Sequence, residues 1–309
     1  MNKGLSKETK AELLLFVLAM IWGGSFVAAK FSMTSFDPYW VMVLRYGLGT
    51  LLLWLCFPKE HRKLNKPTLA GGLEVGILLG AGTAFQMVGL QYTTPANQTF
   101  IIVSYVITVP LLNFAISKVK PGRHILVAAV FTVIGVGFLT LGPGTGFNIG
   151  DVMTFIMALL FAVQIIRIDY WMPKVTSSIM FTAVQFFAAT MISLVLFFIN
   201  GRVMYTGDVT TAAILGMVYI VVLNTAVGYV IQNYAQRDAS PDKSALIISS
   251  ESLFGTFAAY FFAGEDFPPK KIIGCIFILI GQFFAQVLPT LKKMGRERGV
   301  PDKNWENGV

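Results

Sequence analysis

Ten stretches of this chain are each long and apolar enough to cross a bilayer as a helix, and a chain so built has few folds open to it. A hydrocarbon core is crossed by about 20 mostly apolar helical residues. The runs fall at residues 11–31, 38–57, 69–92, 95–117, 124–141, 151–171, 179–199, 212–236, 241–263 and 271–290. The connections carry the helix breakers, among them "FDP" at 36–38, "FPKEHRKLNKP" at 57–67, "GPGTGFNIGD" at 142–151 and "DFPP" at 266–269. The expected fold class is therefore all-α, a polytopic membrane protein of ten transmembrane helices. Composition agrees. Only 13% of the 309 residues are charged, against about a quarter in a soluble domain. The 26 Phe and 29 Gly suit helices packed in lipid.

The formal charge of +8 raises the question of a nucleic-acid partner, and the positions of the charges answer it. Ten spans place both termini on one side. If that side is the cytoplasm, almost all of the 24 Lys and Arg residues fall on it, from Lys3, Lys7 and Lys10 to the polar tail at 291–309. Only Lys30, Arg202, Lys270 and Lys271 fall on the outer side, and Arg45 lies within a span. This is the positive-inside pattern. It implies a multi-pass plasma-membrane protein with cytoplasmic termini, surrounded by membrane lipids, and no nucleic-acid partner. The first run follows three lysines as a signal peptide would, but it is long and is followed by nine similar runs, so it is read as a retained helix.

A repeat is hidden in the chain. Shifting it by 146 residues lays Gly82 and Gln86 on Gly228 and Gln232, Thr94-Pro95 on Ser240-Pro241, and Gly135 on Gly281. Each half holds five spans. Five is odd, so the second half enters the membrane from the opposite side, as in the inverted repeats of many secondary transporters. The expected organisation is a cytoplasmic segment at 1–10, a first five-helix repeat at 11–141, an outer linker at 142–150, a second repeat at 151–290 and a tail at 291–309. Ser or Thr before Pro reads as a helix cap with Pro at the first helical position.

With these marks in place, the chain resembles the ten-helix EamA-type branch of the drug/metabolite transporter superfamily over about residues 11–290. The resemblance rests on "WGGSF" at 22–26, "VLRYGLGTLLL" at 43–53, "GLQYTTPANQTFIIVSYVITVPLL" at 89–112, "ASPDKSALIISSESLFGTFAAYFFAGE" at 239–265 and "IIGCIFILIGQ" at 272–282. It implies two fused five-helix repeats around a central cavity lined by both halves, and it favours export. Two departures stand out. Ser252 occupies a place where Pro often follows the ninth-span Glu, which puts a kink there in doubt, and Val119 stands where the first repeat often ends in Glu.

Ionisable groups inside spans are expensive and are functional candidates for that reason. Three are read here: Arg45, Glu74 and Glu251. Glu74 lies close to the cytoplasmic surface, where it snorkels or pairs, a structural reading. Arg45 either fixes helix packing or attracts an anionic group. Glu251 lies about ten residues into the ninth span, ~15 Å deep at ~1.5 Å per residue, with Ile247 and Gly255 rather than bases at i±4. It binds a solute, carries a proton, or ties helices together as a protonated acid. Its repeat mate is Tyr105, and the two could hold an ammonium by charge and cation–π contact.

Of the polar and aromatic residues in other spans, Trp22, Gln86, Tyr105, Gln164, Tyr229 and Gln232 are the candidate solute-binding residues beside Glu251. Most such groups in membranes simply join helices. Gly72, Gly76 and Gly80 form overlapping GxxxG spacings, read as close packing, with sliding or dimerisation as the sharper alternative. Cys56 and Cys275 read as small buried hydrophobes. No metal-ligand cluster, catalytic triad or phosphate loop is seen, so neither an enzyme, a cofactor nor direct ATP drive is expected. The function expected is secondary transport of a small organic metabolite, an amino acid, amine or related compound, by alternating access and outward, with a proton as a possible coupling partner. The alternatives are an uptake permease of the same fold, a multidrug or cationic-amine effluxer, and more remotely a lipid scramblase or membrane enzyme.

Overall fold

A computed structural model describes residues 6–90, 92, 98, 101–118, 120–140, 148–200, 203–264, 266 and 268–284. The chain is a bundle of helices: α1 (Lys7–Ser32), α2 (Pro38–Cys56), α3 (Lys66–Leu90), α4 (Tyr105–Ser117), α5 (Arg123–Thr140), α6 (Ile149–Trp171), α7 (Ser178–Ile199), α8 (Thr211–Val218), a π-helical segment (Tyr219–Val227), α9 (Gly228–Ala235), α10 (Pro241–Ile248), α11 (Glu251–Ala263) and α12 (Pro269–Gln282). Among the described residues, seven helical stretches are long and apolar enough to cross a membrane, and α4 and α5 are shorter apolar helices. This is a polytopic, all-helical membrane protein.

Local sequence sets the helix starts. Ser6, Asp37, Ser177 and Thr210 each accept a backbone N–H in the first turn of α1, α2, α7 and α8, and Asn148 and Asp151 form a reciprocal capping box on α6. Ser240 precedes α10 with Pro241 at the first helical position, but its hydroxyl makes no capping bond. Here the proline's fixed φ sets the start without help from a side-chain cap. Thr94-Pro95 lies outside the described residues.

Two expected single helices are interrupted. The ninth span breaks at Ser249 and Ser250, between α10 and α11, without a proline. The amides of Ser250, Ser252 and Leu253 bond three residues back, and the hydroxyls of Ser249 and Ser252 bond the carbonyls of Leu246 and Ser249. Serine hydroxyls that compete for backbone carbonyls bend helices in this way. The fourth span breaks likewise at Val103 and Ser104. The eighth is α-helical at both ends and π-helical between.

The breaks are 146 residues apart, the offset found in the sequence. α4 and α11 share that offset at both ends, and α5 and α12 share it at their starts. α4 and α11 are followed by Lys118 (φ 58°) and Gly264 (φ 67°), the positive-φ residues of the described chain. A left-handed residue at this position closes a helix C-terminus. Glycine takes it freely, whereas lysine takes it at a cost. Asn113 near the end of α4 bonds Asp242 at the start of α10, so the end of one of these segments lies beside the beginning of the other.

The packing core joins α3 to α6 and α7, α2 to α7, α1 to α11, and α5 to α12. Gly72, Gly76 and Gly80 face α7. A β-carbon on Gly76 would lie 2.7 Å from Ala188 Cβ, and one on Gly80 would lie 3.1 Å from Ala189 Cα. The GxxxG stripe is thus a seam within this bundle. Cys275 is buried, but Cys56, the last residue of α2, is exposed, so the expectation of a buried thiol is corrected there.

Polar contacts define two ends. At one, the N-terminal turn of α1 meets α10 through Lys243, which bonds Glu8 and Glu12, and the 58–66 connection meets residues 176 and 177. At the other, the α1–α2 connection pairs with residues 204–208. Asp37 N–H bonds the Met204 carbonyl at 3.1 Å, Thr206 N–H bonds Ser35 at 3.0 Å, and the Phe36 and Tyr205 rings are 5.7 Å apart.

Candidate functional site

A cavity of about 80 Å³ lies inside the bundle. α1 supplies Trp22, Ser25 and Phe26, α2 supplies Arg45, and α3 supplies Gln86. Ile102 precedes α4, Met157 and Phe161 come from α6, Asn224 from the π segment, Tyr229 from α9, and Glu251 from α11. Its lining includes one basic side chain, Arg45, and one carboxyl, Glu251.

Each wall residue is held by the fold. Trp22 donates its Nε1–H to the Asn224 carbonyl at 3.0 Å, and its ring lies 5.1 Å from that of Tyr229 and 5.9 Å from that of Phe161. Gly228 allows this approach, since a β-carbon there would lie 2.6 Å from the indole nitrogen. Tyr219 donates to the Ile21 carbonyl at 3.0 Å. The π segment is thus joined to α1 at both Tyr219 and Asn224. Single π turns inside α-helices recur at functional sites, and this longer one lies against the cavity.

Arg45 enters from α2. Its Nε donates to Thr225 Oγ1 at 2.8 Å, and its guanidinium lies 5.1 Å from the Tyr46 ring centre. The Tyr46 hydroxyl is hydrogen-bonded to Thr83 Oγ1 at 2.6 Å. Gln98 donates to the Gln86 carbonyl at 2.9 Å, anchoring the chain before α4 to α3.

Glu251 is the first residue of α11, immediately after the break, and is buried. A helix N-terminus favours a carboxylate. Tyr105 holds the equivalent first position of α4. Its hydroxyl lies near the Glu251 carboxyl without hydrogen-bond geometry, and its ring packs 5.2 Å from Phe161.

The sequence candidates therefore separate. Trp22, Gln86, Tyr229 and Glu251 line one cavity, and Tyr105 stands behind it. Gln164 and Gln232 are buried outside its wall; Gln164 Nε2 and both polar atoms of Gln232 have no hydrogen-bond partner among the described residues. Glu74 accepts from Arg167 through Nε and Nη2 and from Trp171 Nε1 at 2.9 Å. It is a paired group away from the cavity. Phe26, Ile102 and Met157 carried no polar mark and were not anticipated. Arg45, read in sequence as fixing helix packing or attracting an anionic group, lines the cavity; its position inside an apolar run was the available signal.

The sequence count of three ionisable groups within spans was incomplete. Arg167 and Asp169 lie on α6, and Asp169 is close enough to Asp242 to interact electrostatically. Among the described residues, no group of three His, Cys, Asp or Glu side chains could hold a metal ion.

The EamA-like transporter family matches this chain twice, over residues 9–141 and 148–286. An uncharacterized transporter of Archaeoglobus fulgidus is 27% identical over 274 residues, covering 89% of this chain and 85% of its own. A second from the same organism is 25% identical over 290 residues, covering 90% and 98%. An uncharacterized transporter of Clostridium kluyveri is 24% identical over 273 residues, covering 84% and 85%. A solved crystal structure superposes with a TM-score of 0.78 at 13% identity, covering 92% of this chain and 99% of its own, which shows a shared fold. The chain belongs to the EamA-like transporter family of the drug/metabolite transporter superfamily.

Proposed function

We propose that this protein is a secondary transporter of ten membrane-crossing segments in two inverted five-helix repeats. It moves a small organic metabolite, an amino acid, amine or related compound, across the plasma membrane by alternating access, in the outward direction. Both termini are cytoplasmic in this reading. The observation that carries it is the cavity at two broken helices of equivalent position. Glu251 and Tyr105 each open the second half of a broken helix, 146 residues apart, and one lines the cavity while the other backs it. Broken helices at a repeat interface are where such transporters bind solute and coupling ion.

Cavity size favours a small solute. Drug-sized ligands occupy sites of about 300–1,000 Å³, well above the 80 Å³ present here. That supports a metabolite over a multidrug substrate.

The test is counterflow into proteoliposomes with a metabolite panel, with and without a proton gradient. Accumulation of labelled solute in exchange for the same solute preloaded unlabelled is expected. Lipid movement without solute exchange rejects the reading in favour of a scramblase. Net uptake into cells, rather than depletion from them, converts the exporter into a permease of the same architecture. Reporter tags at both termini are expected on the cytoplasmic side; an external C-terminus contradicts ten spans.

A further inference from the structure

Arg45 and Glu251 line the same small cavity and do not pair with each other: no nitrogen of the first lies within 4.0 Å of an oxygen of the second. An unpaired charge inside a membrane protein is costly, and opposite charges attract strongly where water is scarce. Two such side chains in one cavity should collapse together unless they are held. The structure supplies the restraints. Arg45 is held by Thr225, and the ring beneath it by Thr83. The Glu251 backbone packs so closely on α1 that a β-carbon at Gly23 would lie 2.7 Å from its carbonyl oxygen, and the Tyr105 hydroxyl stands near its carboxyl.

The guanidinium has five N–H donors. Nε is committed to Thr225, and among the described residues no hydrogen bond or ion pair of the terminal nitrogens is seen. A solute with only a cation would meet Glu251 but be repelled by Arg45. A solute with only an anion would meet the reverse. A solute bearing both charges satisfies both walls. The rings of Phe161 and Tyr229 lie 5.9 and 5.1 Å from that of Trp22, and the three supply the faces that a cationic or apolar part prefers.

We propose that this cavity selects a dipolar solute, with Glu251 receiving its cationic group and Arg45 its anionic group. This rests on the transport reading above and names the substrate class of that site. Arg45 is then the residue that excludes simple amines, and Glu251 the one that excludes simple carboxylates.

The test uses the purified full-length protein and measures equilibrium binding and thermal shift. The probes are the L-amino acids and glycine betaine. For each amino acid that binds, the methyl ester removes the anion and the N-acetyl derivative removes the cation. Both derivatives are expected to bind about tenfold or more weakly than the parent, the loss of one charged hydrogen bond at about 1.5–3 kcal/mol. Arg45→Gln should erase the difference between parent and ester, and Glu251→Gln the difference between parent and N-acetyl derivative. Should Arg45→Gln fail to fold, Arg45→Lys should keep the discrimination and Thr225→Val should weaken it. The proposal is overturned if no dipolar probe binds, if an ester binds as tightly as its parent, or if the difference survives in Arg45→Gln. Liposome assays separate the two readings. Dipolar binding without any transport rejects the transport reading alone, and transport of a plain amine or carboxylate rejects the dipolar selection alone.

Discussion

At the N-terminal end of the bundle, the first turn of α10 reaches two helices of the preceding half: Lys243 bonds Glu8 and Glu12 on α1, and Asp242 accepts from Asn113 on α4 at 3.2 Å. Nearby, Gln236 donates to the Ile165 carbonyl and Arg237 to the Val175 carbonyl. The other half of the bundle holds the cavity, with Arg45 in the second turn of α2 and Gln86 in the last turns of α3. One half is closed by charge and hydrogen bonds between repeats, and the other holds space. The closed half is also incompletely satisfied. Gln164, Gln232, Gln236 and Ser244 are buried there with polar atoms that have no protein partner. Buried unsatisfied groups cost about 1–3 kcal/mol each. In the alternating-access reading proposed above, hydration on opening would recover that cost and bring the two arrangements closer in free energy.

The largest effect belongs to the cavity. Glu251→Gln should reduce transport about 10–100-fold, the loss of one charge-assisted contact of about 1.5–3 kcal/mol, while the protein still inserts and folds. Liposome flux and a melting curve measure both. Flux at the wild-type rate would remove Glu251 from the mechanism and leave the cavity half with no more claim to function than the closed half.

Next is the seam that both halves share. Gly76→Val places a side chain against Ala188 and the Gln185 backbone on α7, along one of the main helix seams of the bundle. Overpacking of this kind costs about 1–3 kcal/mol, read as a lowered melting temperature. An unchanged melting temperature would mean that α3 and α7 slide freely, and the glycines would then mark a moving interface.

A smaller effect tests closure directly. In a Cys56→Ser background, a cysteine at Gln236 should be protected from a membrane-impermeant thiol reagent applied from the N-terminal side. Lys243→Ala should raise its labelling several-fold, because partly exposed ion pairs contribute about 0.2–1 kcal/mol each and two are lost. Combining Lys243→Glu with Glu8→Lys and Glu12→Lys should restore protection. Equal labelling with and without Lys243 would show that the ion pairs decorate this end without holding it.

Much of this architecture was legible because membrane burial leaves strong marks. Runs of apolar residues and the placement of Lys and Arg were enough for the polytopic helical class. Trp22, Gln86, Tyr229 and Glu251 showed themselves as polar or aromatic interruptions of apolar runs. The π segment did not, because Tyr219–Val227 reads as ordinary apolar helix and its bonds to α1 depend on tertiary packing. The break before Glu251 was expected to need a proline; the hydroxyls of Ser249 and Ser252 accompany it instead, through bonds that composition does not announce. Gln164 and Gln232 looked equivalent to Gln86 in sequence, and only the turn of each helix separates cavity wall from buried seam.

The smallest expected effect concerns acid and the closed end. Glu60, in the connection after α2, accepts from Lys63 Nζ at 2.6 Å and from the Ser177 hydroxyl, and these bonds, Lys63 first, hold its carboxyl below the usual 4.5. A carboxyl lowered in the folded protein stabilises it fully above the unfolded value and loses that contribution as pH falls through the folded one. Acidification from about pH 5 downward should therefore loosen the 58–66 connection from residues 176 and 177, read as faster amide exchange there. Glu60→Gln should remove this acid dependence, and the change in overall stability should stay below about 1 kcal/mol because the pair is largely in water. The 203–208 connection at the opposite end is joined to residues 35–37 by backbone bonds and a serine hydroxyl, which do not titrate, so its exchange should be flat over the same range. Equal acid sensitivity at both ends would show that the ionic character of the closed end has no consequence for its mobility.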